Sequence, residues 1–226
     1  MAVIPLNKNP SRIKLYEFVK EASLSVPDGS LALDAGAGEG MYRPLFEKMK
    51  YFSVDLGKIP KDYGNISAIS NLTTVPFSAN SFDMIICTQV LEHVNAPNTV
   101  LSELWRVLKP DGFLWLSAPF FFEQHEIPYD YFRYTTFGIK YLLESENFCI
   151  HKLEWLEGYY GALAYQLETA TRFFKNEKKN YLFAVIFKLM AKVCAKAENN
   201  AASSDITKPY LYGKNIIAVA KKINHL

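Results

Sequence analysis

Residues 31–40 read LALDAGAGEG, and the fold prediction starts from this segment. An apolar run ends in Asp34, and glycine then occupies every second position, at Gly36, Gly38 and Gly40. A glycine loop that leads from a strand into a helix lets a ligand approach the backbone closely. The pattern therefore predicts a ligand-binding loop after the first strand of an α/β sheet. The alternative is that the glycines only make a tight turn.

Strand and helix patterns alternate on both sides of this loop. The predicted strands are SLALDAG, KYFSVDLG, NISAI, SFDMIICT, FLWLSAP, FCIHKLEWLE and KNIIAVAKKI. SFDMIICT is an almost uninterrupted apolar run, which is typical of a strand buried on both faces. Alternation of this kind predicts an α/β fold with a doubly wound, mostly parallel, seven-stranded sheet.

Helices are predicted between these strands. The segment NPSRIKLYEFVKEA has Asn9 as a candidate N-cap, and MYRPLFEKM is expected to form a short helix despite Pro44. PNTVLSELWRVLKPDG is expected to form a helix that stops at Pro-Asp-Gly. Its apolar face consists of Val100, Leu101, Leu104, Val107 and Leu108.

The length of the chain bounds the number of domains. At 226 residues it is long enough for one domain with a sizeable core and short for two. We therefore predict a single domain with an N-terminal helix (1–29), a cofactor-binding core (30–157), a helical insertion (158–210) and a last strand (211–226). The net charge of +2 leaves no general basic excess to neutralise phosphates, so nucleic acid is not expected as a partner.

The cysteines and the apolar segments indicate the compartment. Cys87, Cys149 and Cys194 are far apart and show no metal-ligand spacing, so reduced thiols and no metal site are predicted. The N-terminus lacks the pattern of a signal peptide, and no stretch is long and apolar enough to span a bilayer. A cytoplasmic location is the prediction.

The second strand favours an adenosine-bearing cofactor. Asp55 ends this strand, where a carboxylate can accept hydrogen bonds from both hydroxyls of a ribose. A nicotinamide cofactor would favour glycine at the position that Met41 occupies. A nicotinamide-dependent oxidoreductase is therefore the least favoured function class.

Four segments together resemble class I S-adenosylmethionine-dependent methyltransferases, especially those related to ubiquinone and small-molecule methyltransferases. They are LALDAGAGEG, YFSVDLG, NLTTVPFSANSFDMIICTQVLEHV and LWRVLKPDGFLWLSAP, within about residues 28–155. The resemblance implies a Rossmann-like methyltransferase fold and S-adenosyl-L-methionine as the cofactor. The cofactor-binding residues that it implies are Asp34, Gly36, Gly38, Gly40, Asp55, Asn71, Leu72, Thr88 and Gln89.

One of these positions departs from the family pattern. Asn71 stands where the family usually has an aspartate that accepts a hydrogen bond from the adenine amino group. The amide oxygen of an asparagine can accept the same hydrogen bond, but without a charge. We therefore expect cofactor binding to survive and to be somewhat weaker.

Methyl transfer needs little from the protein beyond alignment and proton removal. The sulfonium already makes its methyl group electrophilic, so a hydroxyl acceptor needs an aligned site and a general base. His93 and His125 follow the fourth and fifth strands and are the candidate bases. For His93, a structural role in the turn with Glu92 stays open. The resemblance is also to members that carry a similar loop, in which Asp130, Tyr131 and Arg133 would bind a polar or anionic substrate.

The segment 158–210 is the part least similar to the family. It reads as two apolar helices joined by NEKKN, and the second carries Lys188, Lys192 and Lys196 four residues apart along one face. A hairpin that covers its own domain as a lid is the favoured interpretation. Peripheral contact of residues 181–197 with an anionic membrane, and formation of an oligomer, stay open.

These observations leave two main function classes. The favoured one is methyl transfer to a hydroxyl, or an amine, of a small or lipid-linked acceptor, for which a surface-glycan sugar is a candidate by analogy. The alternative is a module that binds S-adenosylmethionine without catalysis and acts as a partner or regulator.

Overall fold

The computed structural model describes residues 10–58, 62–63, 65–174, 181–198 and 212–223. Its strands are β1 (Leu31–Ala35), β2 (Lys50–Asp55), β3 (Ala68–Ile69), β4 (Phe82–Thr88), β5 (Leu108–Pro119), β6 (Phe148–Trp155) and β7 (Asn215–Lys222). They form one seven-stranded sheet in the order β3-β2-β1-β4-β5-β7-β6. β7 is antiparallel to both of its neighbours, and the other pairs are parallel. The predicted fold class is confirmed.

Helices cover both faces of this sheet. They are α1 (Pro10–Leu24), α2 (Pro97–Val107), α3 (Thr136–Ser145), α4 (Tyr159–Ala170) and α5 (Tyr181–Glu198). Met84 and Ile86 of β4 pack with α1, while Ile85 and Cys87 pack with α2 and α3. Successive side chains of a strand point to opposite faces, so β4 needs apolar residues at consecutive positions from Met84 to Cys87, as its apolar run predicted.

The helix α2 ends one residue earlier than its apolar pattern suggests. Val100, Leu101, Leu104 and Val107 are buried on it as expected, but Leu108 is extended and begins β5. Pro110 explains this boundary, because its ring would clash with the carbonyl of Arg106 and it offers no N–H to the helix. The predicted helix at MYRPLFEKM is a short 3-10 helix, Arg43–Phe46. Asn9 lies outside the described residues.

The helix α3 was not predicted from the sequence. Its N-cap is Thr135, whose side chain accepts a hydrogen bond from the N–H of Gly138. Glycine near the start and two aromatic residues weaken its helical pattern, because both residue types have lower helix propensity. Burial of Ile139, Leu142 and Leu143 against the sheet compensates.

The insertion before the last strand contains two helices, as predicted. The turn NEKKN falls outside the described residues. Glu198 at the end of α5 accepts hydrogen bonds from the N–H groups of Gly158 and Gly161 at the start of α4, at 2.6 and 3.0 Å. Its carboxylate also pairs with Lys14 of α1 at 2.9 Å. The insertion is thereby attached to the rest of the fold at its base.

Two further predictions concern the chain as a whole. Cys87, Cys149 and Cys194 are free thiols. Among the described helices, none combines the length and apolar character that crossing a bilayer requires. The assignment of residues 1–226 to a single domain stays a prediction.

Candidate active site

The glycine loop begins where β1 ends, at the edge where the parallel strands have their carboxyl ends. Gly36 has φ +83°, a conformation that side chains rarely adopt. A Cβ there would lie 2.3 Å from Cγ2 of Val90, so the loop packs tightly against the segment after β4. A Cβ at Gly40 would meet nothing within 4 Å. The absence of a side chain at Gly36 therefore has a packing cause, whereas Gly40 faces open space.

Asp55 lies beside this loop at the end of β2. One carboxylate oxygen accepts a hydrogen bond from the N–H of Gly38 at 2.8 Å, and the other accepts one from Gly57 at 3.1 Å. A carboxylate has about four acceptor sites, so two of them stay available. The carboxylate is held in place and can still accept hydrogen bonds from a ligand.

Asp34 is buried in β1, with 1% of its surface exposed. Burial raises the pKa of its carboxyl to about 7, a hydrogen bond from the Tyr51 hydroxyl opposes this rise, and the negative charge of Asp55 adds to it. A cationic ligand group beside Asp34 would favour the ionised form. The sequence-based site did not include Tyr51, although β2 places it two residues before Ser53, the partner of Asp34 in the sheet.

The remaining predicted cofactor residues lie at the same edge or near it. Gln89 has φ +55°, and its side-chain amide donates to the Ser117 hydroxyl at 3.1 Å. Thr88 ends β4 and hydrogen-bonds to the Tyr42 side chain.

Asn71 and Leu72 follow β3. Leu72 is buried in the core. Asn71 is exposed, and its amide oxygen accepts a hydrogen bond from the N–H of Thr73 at 3.1 Å. One lone pair of the oxygen that was expected to accept from adenine is therefore used in a local turn, and the second stays available.

The two candidate bases face each other. His93 belongs to a 3-10 helix, Leu91–His93, just after β4, and His125 lies in the loop after β5. Their Nε2 atoms are 3.1 Å apart, and their ring centroids are 4.5 Å apart. The residues are 32 positions apart in sequence, so only the sheet topology brings them together.

Backbone carbonyls indicate that Nδ1 carries a hydrogen in both rings. Nδ1 of His93 lies 2.6 Å from the carbonyl oxygen of Tyr129, and Nδ1 of His125 lies 3.1 Å from that of Glu123. A carbonyl can only accept, so each Nδ1 carries the hydrogen and each neutral ring presents a lone pair at Nε2. Burial, and next to it the neighbouring His93, lower the pKa of His125. The neutral form of His125 is therefore favoured.

Glu92 is the third member of this cluster and was expected only to hold the turn. It is fully buried, and neither of its carboxylate oxygens has a hydrogen-bond partner in the described part of the chain. Burial raises its pKa to about 8, against the opposing positive charge of Arg133. Its Oε1 lies 3.9 Å from Nε2 of His93.

The predicted substrate residues Asp130 and Arg133 are paired with each other. Two hydrogen bonds of 2.7 and 2.8 Å join the guanidinium to the carboxylate, and these hold the pKa of Asp130 far below its usual range. Asp130 also accepts a hydrogen bond from the N–H of His125, and Arg133 donates to the carbonyls of Phe122 and Glu123. This geometry gives both residues the task of holding the His125 loop.

Other groups of the loop face outward or meet the insertion. Tyr131 is exposed, and its N–H donates to the carbonyl of Glu92 at 2.8 Å. Tyr165 of α4 stacks on Phe122 with ring centroids 5.6 Å apart and donates a hydrogen bond to the Glu123 carboxylate. The helical insertion therefore borders the loop that carries His125.

Comparison with known proteins identifies a family model that matches part of the chain. Residues 33–116 match the family model described as a methyltransferase domain. A tRNA (carboxymethyluridine(34)-5-O)-methyltransferase from Arabidopsis thaliana is 32% identical over 101 residues, 42% of this chain and 25% of that protein. A ubiquinone biosynthesis O-methyltransferase from Shewanella halifaxensis is 25% identical over 125 residues, 50% of this chain and 51% of that protein.

A solved structure agrees over most of the chain. The 1,6-didemethyltoxoflavin-N1-methyltransferase from Burkholderia thailandensis, crystallised with S-adenosylhomocysteine, has a TM-score of 0.57 and 16% sequence identity. The match covers 96% of this chain and 80% of that protein, and it shows the fold alone. This chain spans between a quarter and about half of the length of the curated relatives that it matches. These findings show that residues 33–116 are similar to a methyltransferase domain and that the chain resembles methyltransferases in sequence and in fold.

Proposed function

We propose that this chain transfers a methyl group from S-adenosylmethionine to a hydroxyl, or an amine, of a small or lipid-linked acceptor. One observation carries the proposal. The carboxylate of Asp55 is held beside the glycine loop, and the side chains of His93 and His125 face each other. All of these groups follow neighbouring strands at one edge of the sheet. The first group suits a nucleoside cofactor, and the second suits removal of a proton from the acceptor.

The cofactor would bind along the loop between β1 and the segment after β4. The free acceptor sites of Asp55 suit the ribose hydroxyls, and Asp34 suits the cationic ammonium of the methionine part. Thr88 and Gln89 would contribute through main-chain groups. The Asn71 oxygen accepts from Thr73 with one lone pair and would accept from adenine with the other, without a charge, so we expect a weak contribution of Asn71 to adenine binding.

The proposed reaction is a single displacement. The acceptor oxygen forms a bond to the methyl carbon, the bond between that carbon and sulfur breaks, and S-adenosylhomocysteine leaves. The acceptor proton passes to Nε2 of His125 or His93, whose lone pairs face the same space. A lowered pKa keeps His125 neutral, which suits a base at neutral pH.

The relatives support a hydroxyl acceptor without identifying it. O-methyltransferases of ubiquinone biosynthesis recur among them, while the toxoflavin enzyme is named as an N-methyltransferase. Tyr131 and Tyr165 border the histidine loop and would contact the acceptor through their rings. A surface-glycan sugar stays one candidate among polar acceptors.

The test replaces the proposed base. We expect His125→Ala to lower turnover about a hundredfold or more while cofactor affinity is preserved. His151→Ala is the matched control, because this histidine is exposed on β6, away from the loop that carries His125. The measurement is methyl transfer from labelled S-adenosylmethionine to panels of phenols, sugars and amines, with calorimetry for cofactor binding. Equal turnover of His125→Ala and wild type would remove the base from the mechanism.

A binding module without catalysis is the alternative, and the same experiments separate it from an enzyme. Such a module would bind S-adenosylmethionine with an affinity that depends on Asp55. It would produce no S-adenosylhomocysteine with any acceptor of the panel, and His125→Ala would have no measurable consequence.

We also infer a peripheral membrane contact through α5. Leu182, Leu189 and Val193 expose 65%, 57% and 69% of their surfaces, and they lie on one side of the helix. Lys188, Lys192 and Lys196 are exposed along the edge of that side. An apolar face flanked by lysines suits the interface of an anionic bilayer, which would bring a lipid-linked acceptor near the site.

A further inference from the structure

We propose that Glu92, His93 and His125 bind a divalent first-row transition-metal ion, because two imidazole nitrogens and a buried carboxylate without a hydrogen-bond partner among the described residues lie within 4.8 Å of one another. This site does not depend on the proposed methyl transfer. It can exist in a binding module as well as in an enzyme.

The distances between the donor atoms suit a common ion. One donor atom from each of the three residues lies within 4.8 Å of the others. The Nε2 atoms of the two histidines are 3.1 Å apart, and Oε1 of Glu92 is 3.9 Å from Nε2 of His93. Two nitrogens bound to tetrahedral zinc at about 2.0 to 2.1 Å would be about 3.3 Å apart. Small side-chain movements would therefore complete the coordination.

The two histidines are already in the tautomer that a metal requires. The carbonyls of Tyr129 and Glu123 accept from the Nδ1–H groups, so each neutral ring has its lone pair on Nε2, and the two Nε2 atoms lie 3.1 Å apart. Two lone pairs at this distance repel unless a cation lies between them. Carbonyls that bind the far ring nitrogen are also the usual support of histidine ligands in metal sites.

A shared proton is the competing explanation. Burial and the neighbouring His93 lower the pKa of His125, so the positive charge of a shared proton would have to lie on His93, whose Nε2 is 3.9 Å from Glu92 and 3.8 Å from Glu126. A divalent ion fills the same space and binds both neutral rings.

Glu92 provides the independent second observation. Its carboxylate is fully buried, and among the described residues no donor satisfies either oxygen. A buried carboxylate without hydrogen bonds is costly unless a cation pairs with it. Arg133, which could neutralise it, is instead bound to Asp130 and to loop carbonyls. The site therefore contains more hydrogen-bond acceptors than hydrogen-bond donors.

The donor set indicates which ions suit the site. Two imidazoles and one carboxylate favour zinc or iron(II), whereas magnesium and calcium prefer oxygen ligands throughout. Three protein ligands leave at least one coordination position open. A hydroxyl of the acceptor bound there would have a lowered pKa, and the ion would then replace His125 as the group that promotes loss of the proton.

The experiment measures metal binding and not activity. Full-length protein is treated with EDTA, freed of the chelator and titrated with cobalt(II), followed by calorimetry and visible absorption. We expect one ion per chain and the absorption of a site with nitrogen and oxygen ligands. Thiolate bands would instead report binding to cysteine, for which Cys149→Ser is the control.

Substitutions assign the ion to the site. Glu92→Gln and His125→Ala should each weaken cobalt binding at least tenfold, while His151→Ala should leave it unchanged. Glu92→Gln keeps the shape of the buried side chain, and circular dichroism checks that both variants fold. Absence of binding to wild type, or equal binding to wild type and both variants, overturns the metal site. A cobalt site without methyl transfer would disprove only the proposed function.

Discussion

At the scale of single residues, the site is built from groups whose usual partners are missing or shared. Asp55 gives each of its oxygens to one backbone N–H and keeps further acceptor sites. Glu92 has no donor at all within the described ranges. Asp130 and Arg133, by contrast, satisfy each other. Unsatisfied acceptors mark the places where a ligand improves the free energy, and satisfied pairs mark the scaffold.

The role of Asp55 gives the first residue-scale prediction. We expect Asp55→Ala to weaken binding of S-adenosylmethionine by about 1.5 to 3 kcal/mol, the range for hydrogen bonds to a charged group. Titration calorimetry measures the affinity. Asp28→Ala is the control, because this aspartate is exposed and lies before β1. Unchanged affinity in Asp55→Ala would exclude Asp55 from the cofactor site.

At the scale of elements, the order of strands explains why the site is not visible in any single segment. β1 lies between β2 and β4, so loops that are distant in sequence meet at one edge. The 3-10 helix after β4 brings His93 to His125, and α4 borders the loop of His125 through Tyr165. The lid interpretation therefore suits α4, whereas α5 exposes an apolar side.

The exposed side of α5 gives the element-scale prediction. We expect wild type to float with anionic liposomes at low salt, because each of Lys188, Lys192 and Lys196 contributes about 1 kcal/mol near such a surface and apolar burial adds to it. The triple substitution to glutamate should abolish flotation. Neutral liposomes and high salt are the controls.

Two outcomes would contradict the membrane contact. One is wild type that stays in the soluble fraction with anionic liposomes at low salt. The other is a dimer, seen by sedimentation, that dissociates when Leu189 and Val193 are replaced by serine. In that case a second copy of the chain covers the apolar side.

At the scale of the whole molecule, the sequence predicts the strands of the sheet better than it predicts the candidate site. All seven strands were predicted, because apolar runs bounded by turn residues leave a local signal. The helix α3 was not, because its stability comes from burial of Ile139 and Leu143 against the sheet and not from local propensity.

The site was predictable only where it is local. The glycine loop and the position of Asp55 at the end of β2 could be predicted because strand ends and turns leave sequence patterns. The contact of His93 with His125 and the burial of Glu92 depend on tertiary packing. The expectation of no metal site considered the spacing of the cysteines, and that spacing says nothing about histidines on two different loops. The buried carboxyl of Glu92 also affects the free energy of unfolding of the whole protein.

The last prediction concerns that stability. The carboxyl of Glu92 has a pKa of about 8 in the folded protein, above its ordinary value of 4.5. The folded state therefore holds a proton that the unfolded chain releases above pH 4.5. Its contribution to stability is complete below that pH and is lost as the pH rises towards 8. Glutamine is neutral throughout, so Glu92→Gln should be more stable than wild type at pH 8, by on the order of 1 kcal/mol or more, and should lose this advantage at pH 4.5.

Urea unfolding of wild type and Glu92→Gln across this pH range, with EDTA present, measures the difference. Glu154→Gln on β6 is the control, because it makes the same substitution at a side chain that is half exposed. Curves of Glu92→Gln and wild type that run parallel would show that the carboxyl is satisfied in the folded state. Saturating zinc should reverse the order at pH 8, because the ion binds the ionised carboxylate and stabilises folded wild type more than it stabilises folded Glu92→Gln. If zinc stabilises wild type and Glu92→Gln equally, then Glu92 does not bind the metal, and its buried charge affects stability independently of metal binding.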